Sequence, residues 1–172
     1  LALEAVRKDA GMPEGVFQTL LVSSSEVDSF IEDDRVAGVT LTGSEAAGRA
    51  VGSTAGQQLK PSVLELGGSD PFVVLDDAPI EPTAERGAFA RLQNTGQSCI
   101  AAKRFIVHEA VYNEFVDAFV EAVEELTVGD PTEESTDIGP MARKDLRDDP
   151  DDQIERTLDH GGKLVMGGEP MD

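Results

Sequence analysis

The sequence predicts an α/β protein with a largely parallel sheet. Short apolar, β-prone runs alternate with segments of helical spacing from the first residues onward. Gly- or Pro-containing turns punctuate each change. The 172 residues are 40% hydrophobic, enough to build a real core, which argues against disorder despite the charge.

Leu1 to Ala10 has helical spacing, ended by Gly11 and Pro13. Val16 to Val22 is apolar and reads as β-prone. Ser23 to Ser25 offer caps for a short helix whose apolar face is Val27, Phe30 and Ile31. Val36 to Leu41 reads as a buried strand, and Thr42-Gly43-Ser44 turns into a helix reaching about Leu59. Pro61 breaks that helix. Val63 to Leu66 is a short strand, Gly67-Gly68 a turn, and Phe72 to Leu75 a further strand. Glu81 to Gln93 suits a helix opened by Pro82, a Gly-containing loop holds Cys99, and Arg104 to His108 is strand-like. The clearest helix carries Val111, Phe115, Phe119, Val123 and Leu126 on one face and stops at Gly129-Asp130-Pro131. Residues 130–150 are polar, with three prolines, and read as a long surface connection. Asp151 to Asp159 reads as helix and Lys163 to Met166 as a short strand. The change of character near Pro61 to Gly68 marks a domain boundary.

Composition bounds the function. With 34 acidic against 14 basic residues the formal net charge is −20. A nucleic-acid binder needs a basic face, and nothing here supplies a large one. Such acidity fits a chain adapted to high salt, where carboxylates stay hydrated and their repulsion is screened. No segment approaches the roughly 18 consecutive apolar residues of a membrane span, and no secretory signal opens the chain. The single Cys99 excludes an internal disulfide, which fits a reducing, cytoplasmic location. Leu1 opens directly on a helical pattern and the turn-like Glu169-Pro170-Met171-Asp172 closes the chain, so neither end reads as natural, and an internal fragment is expected.

Two residues stand out chemically. A lone cysteine is usually a small buried hydrophobe. Cys99, however, follows Gly96, which permits close backbone approach, and lies in a polar loop of the kind that displays functional groups. Lys103 and Arg104 would favour its thiolate if near in space. Glu65 is flanked by Leu64 and Leu66 and runs into Gly67-Gly68. It is either an outward-facing edge residue or a partly buried carboxylate able to accept a proton. Gly43-Ser44 places backbone N–H groups at a helix N-terminus, where a phosphate could sit. Gly43 and Gly48 do not make the dinucleotide-fold fingerprint, and a strand-to-helix turn capped by Ser44 is the better reading of these residues alone. His108 and His160 lack metal-ligand partners at useful spacing, so no metal is expected.

Taken in order, these motifs resemble the aldehyde dehydrogenase superfamily over essentially all 172 residues. Leu41-Thr42-Gly43-Ser44 is similar to its cofactor-binding turn. Leu64-Glu65-Leu66-Gly67-Gly68 is similar to its general-base motif and Gly96-Gln97-Ser98-Cys99 to its nucleophile motif, with Glu65 and Cys99 34 positions apart. Gly129-Asp130-Pro131, Asp137-Ile138-Gly139-Pro140-Met141, Gly161-Gly162 and Gly167-Gly168 also match. Residues 67–72 and 97–104 look most like the succinate-semialdehyde dehydrogenases of bacteria and archaea, and the acidity points to a salt-adapted archaeon. After Ser44 the family often continues Thr-Glu, where this chain has Glu45-Ala46-Ala47.

The resemblance implies part of a Rossmann-like, NAD(P)-binding domain over residues 1–66, followed by part of the α/β catalytic domain over residues 67–172. It implies Cys99 as nucleophile, Glu65 as general base, and cofactor contacts from Gly43, Ser44, Leu66 and Gly67. It further implies NAD or NADP as cofactor, a small aldehyde as substrate, and a homo-oligomer in the full-length enzyme. An asparagine for the oxyanion, Lys and Glu residues for the adenosine ribose, a Glu for the nicotinamide ribose and an oligomerisation strand would lie outside these residues. The alternatives are a truncated, catalytically inactive remnant, or a binding or structural module on the same scaffold. A relative that passes its acyl group to coenzyme A is disfavoured by Glu65, the base such enzymes typically lack.

Overall fold

The computed structural model describes residues 1–169, which divide into two compact units, Leu1–Gly67 and a second that begins at Gly68. Of the expected turn at residues 169–172, all but Glu169 lies outside the described residues.

The first unit begins with helix α1 (Ala2–Asp9) and a 3₁₀ turn whose Ser23 and Glu26 close a capping box. Helix α2 (Val27–Glu32), strand β1 (Val39–Thr42), helix α3 (Glu45–Gln57) and strand β2 (Ser62–Glu65) follow. β1 and β2 pair in parallel, Val39 opposite Ser62 and Thr42 opposite Glu65. α3 is the crossover that a parallel pair needs. Its inner face buries Val51 and Ala55 against Ile31 of α2, with Val39, Leu41 and Leu64 packed around them. Small residues allow this approach. A Cβ on Gly48 would come within 2.6 Å of the Leu66 side chain, and one on Gly52 within 3.3 Å of Leu64. α2 ends under a cation: Lys60 Nζ donates to the carbonyl oxygens of Ile31 and Asp33, both at 2.6 Å.

The second unit repeats the arrangement. Strand β3 (Asp70–Val74), helix α4 (Ile80–Leu92) and strand β4 (Ala102–Val107) form a parallel pair with a helical crossover. Helix α5 (Tyr112–Glu124) packs on α4. The core joins Val74, Ala84 and Phe115, flanked by Phe72, Phe105 and Phe119. The four phenylalanines stack in tilted pairs with centroids 4.9 to 6.0 Å apart. Gly87 makes room for two of them, since a Cβ there would meet Phe105 at 3.1 Å and Phe119 at 3.3 Å. Helix α6 (Lys144–Asp159) follows.

Several boundaries differ from the sequence expectation. Val16 to Val22 and Lys163 to Met166 are not strands, because no neighbouring strand offers them a ladder among the described residues. Thr19 is tied instead to α1, its backbone N–H donating to the Glu4 carboxylate at 3.3 Å. β1 starts at Val39 rather than Val36, where pairing begins with the Val39 N–H on the Pro61 carbonyl at 3.0 Å. α6 starts at Lys144, so the irregular connection is shorter than expected and Pro150 sits inside the helix. Pro150 removes its own N–H from the ladder and crowds the Leu146 carbonyl, yet the helix continues to Asp159. The connection is cross-tied by a bridge from Val128 to Ile138 and by the Asp137 carboxylate accepting from the Thr127 N–H at 2.9 Å.

Candidate active site

In the first unit, five of the expected site residues meet at one edge. Thr42 and Glu65 end the two parallel strands side by side. Gly43-Ser44 and Leu66-Gly67 are the next residues of each chain segment. The carboxyl ends of parallel strands are where open α/β sheets receive ligands. The Gly43 N–H donates to the Glu65 carbonyl at 3.0 Å, so it extends the ladder and is not free for a phosphate. The Ser44 hydroxyl caps α3 by accepting from the Ala47 N–H at 3.2 Å. The remaining first-turn amides of α3 are those of Glu45 and Ala46, which have no intrahelical partner by geometry. Beside them lies a depression of about 560 Å³ lined by Glu45, Gly48, Arg49, Leu64, Leu66 and Gly67, among others. Arg49 brings a cation there, 3.6 Å from the Glu45 carboxylate. A Cβ on Gly67 would meet nothing within 4 Å. Glu65 is exposed, which favours the outward-facing reading over a partly buried carboxylate.

In the second unit, Cys99 is free and exposed on the loop between α4 and β4. The loop is built under strain. Asn94, Thr95 and Gly96 are all left-handed, with φ of 51°, 58° and 70°. A β-branched residue rarely adopts that conformation. Residues held this way cluster at functional sites, where the surroundings over-determine them. Those surroundings are polar ties. Arg91 donates to the Gly96 carbonyl at 3.2 Å and Thr95 Oγ1 to the Gly139 carbonyl at 3.2 Å. The Ala142 N–H donates to Gln97 Oε1 at 3.0 Å. Gly68, just before β3, lies against the loop, where a Cβ would meet the Cys99 carbonyl at 3.2 Å.

Lys103 and Arg104 differ from the expectation that their charge serves the thiolate. The Lys103 ammonium donates to the carbonyls of Ser98, Cys99 and Ala101 at 3.1 to 3.3 Å, and Arg104 Nε to the Ser69 carbonyl at 2.9 Å. Both cations are spent on backbone oxygens. The left-handed run and these clamps are the parts of the site that sequence reasoning missed. Asn94 and Gly96, which tolerate left-handed angles, were the local signals of the first.

Comparison with known proteins decides the family. The model of the "Aldehyde dehydrogenase family" matches residues 1–172. The chain belongs to the aldehyde dehydrogenase family. It is 52% identical, over all of its 172 residues and 36% of the relative's length, to a protein named succinate-semialdehyde dehydrogenase [NADP(+)] from Mycobacterium avium (strain 104). The chain thus spans little more than a third of that relative. Its fold matches the crystal structure of succinic semialdehyde dehydrogenase from Streptococcus pyogenes in complex with NADP+, with a TM-score of 0.95 and 39% identity over 99% of this chain and 38% of that one. It also matches an aldehyde dehydrogenase C from Pseudomonas syringae in complex with NAD+ and octanal, with a TM-score of 0.92 and 32% identity over 98% of this chain and 36% of that one. One of these structures holds NADP+ and the other, a cysteine-to-alanine mutant, NAD+ with octanal, so the shared fold alone does not select the cofactor. Among the described residues, no helix is long and apolar enough to cross a membrane.

Proposed function

We propose that this chain is the cofactor-edge and nucleophile segment of an NADP-dependent dehydrogenase that oxidises succinate semialdehyde to the acid. The observation that carries the reading is the 52% identity, along the whole chain, to a relative of that name. The free, exposed thiol on a strained and heavily tied loop supports it from the side of the chemistry. Residues 1–66 serve the NAD(P)-binding domain and residues 67–172 the catalytic domain. The intact protein is a cytoplasmic homo-oligomer, and the net charge of −20 suits a salt-rich cytoplasm.

The residues at the β1–β2 edge fit a dinucleotide. The α3 N-terminus, with Ser44, would hold the pyrophosphate, and Leu66 and Gly67 would contact the nicotinamide half. When bound, NADP+ supplies the hydride acceptor. The protein's own residues do the rest. The Cys99 thiolate attacks the aldehyde carbon, forming a C–S bond and a thiohemiacetal oxyanion that the Cys99 N–H helps to hold. Loss of hydride from that carbon leaves a thioester. Glu65 takes a proton from water as its oxygen attacks the thioester carbon, and the C–S bond breaks to release the acid and restore the thiolate. An exposed Glu65 is open to that water.

The test uses the intact protein that carries this chain. Cys99→Ser abolishes NADPH production from succinate semialdehyde, and near-normal turnover excludes Cys99 as nucleophile. Glu65→Gln leaves the pre-steady-state burst of NADPH intact and slows the steady rate by roughly a hundredfold or more. Equal loss of both phases removes the deacylation role.

A further inference from the structure

The Lys103 ammonium is the most heavily engaged cation of the second unit. Its three hydrogen bonds to Ser98, Cys99 and Ala101 match the three donors a lysine owns. The loop they hold is a tight turn, in which the Ala101 N–H also donates to the Ser98 carbonyl at 3.0 Å. Three carbonyl oxygens converging on one point repel each other unless a cation sits between them. The base of this cation is fixed, because Lys103 is the second residue of β4 and follows the buried Ala101 and Ala102. The other nearby cations, Arg91 and Arg104, are engaged elsewhere, on the carbonyls of Gly96 and Ser69.

We propose that Lys103 is a positioning residue that orients the backbone N–H of Cys99 toward the developing oxyanion. The inference rests on the reading of Cys99 as nucleophile. Its geometry follows from the planar trans peptide bond. The Ser98 C=O and the Cys99 N–H share one peptide plane and point in opposite directions. Drawing the Ser98 oxygen onto Lys103 turns the Cys99 N–H to the side opposite that ammonium. The Cys99 carbonyl is held the same way, so both peptide planes flanking the nucleophile are fixed from one strand residue. An oxyanion donor acts on charge that develops in the transition state. Its misalignment therefore lowers kcat and leaves aldehyde binding largely alone.

The experiment compares Lys103→Met and Lys103→Arg with the wild type in the intact protein. Lys103→Met is expected to lower kcat by roughly tenfold to a hundredfold while the aldehyde KM stays within about threefold. Lys103→Arg restores part of kcat, because it keeps the charge but offers a planar fork in place of three converging donors. A kcat within about twofold of wild type in Lys103→Met overturns the proposal, as does a parallel rise in KM or the absence of any recovery in Lys103→Arg. If Lys103→Met is unfolded by circular dichroism, Lys103→Gln, which keeps a donor without the charge, takes its place under the same criteria. The rate of Cys99 alkylation by iodoacetamide is measured alongside. Slower alkylation in Lys103→Met, in a protein whose wild type oxidises no aldehyde, supports the clamp and refutes the proposed function. Unchanged alkylation together with unchanged kcat refutes the clamp alone.

Discussion

Replacing Gly96 by alanine probes the strained loop directly. Gly96 has a φ of 70°, and a Cβ there would come within 2.9 Å of Arg91 Nη1 and 3.3 Å of the Arg91 carbonyl oxygen. A left-handed conformation costs an L-residue about 1–2 kcal/mol. Displacing the Arg91 guanidinium weakens its bond to the Gly96 carbonyl. That bond is partly exposed, so about 1 kcal/mol is a fair share of its strength. The stiffer unfolded chain returns about 0.4–1 kcal/mol. The net destabilisation is about 2 kcal/mol by these principles. With a urea dependence of about 2 kcal/mol per M, the midpoint of the second unit falls by about 1 M. Urea titration of the intact protein, read by Cys99 accessibility to a thiol reagent, reports on this loop specifically. A midpoint within about 0.25 M of wild type refutes the left-handed assignment, since no alanine could sit there so cheaply.

Two further variants probe the first unit. Gly43→Ala should leave stability within about 0.5 kcal/mol, because its φ is not left-handed and its added Cβ meets only ordinary contacts from 3.6 Å outward. The same variant should weaken NADP+ binding in a fluorescence titration if the strand edge receives the cofactor, and an unchanged affinity places the dinucleotide elsewhere. Lys60→Met removes two half-buried bonds to the carbonyls that end α2 and should cost about 2 kcal/mol, read as a lowered thermal midpoint. An unchanged midpoint would mean that water replaces the ammonium without loss.

The parts of this fold legible in the sequence are those fixed by local chemistry. The capped turn at Ser44, the stop at Pro61 and the apolar face of α5 all depend on neighbours within a turn or two. Strand limits are set by distant partners, which is why β1 begins at the residue that meets Pro61 and the apolar runs at 16–22 and 163–166 pair with nothing described. Pro150 misled because proline inside a helix is costly but not prohibitive. At the site, Cys99, Glu65 and the two glycine turns were visible as motifs. The state of their backbone was not. Asn94 and Gly96 tolerate left-handed angles, but Thr95 between them argues the other way. The role of Lys103 was hidden for a different reason: its charge is visible in the sequence, but three carbonyls converging on it are visible only in space.

The reversal of hand after α4 also decides what happens to amides. Had residues 93–97 kept the right-handed sense of the helix before them, α4 would have run on toward Cys99. In an α-helix every N–H is committed to the carbonyl four residues earlier. The Cys99 amide would then have been consumed inside the ladder, and its side chain set by helical rotation. Three residues wound in the mirror sense take the chain out of that ladder one short step before the thiol. The cost in backbone energy is thus also a release, leaving Cys99 with a peptide group that belongs to no regular element.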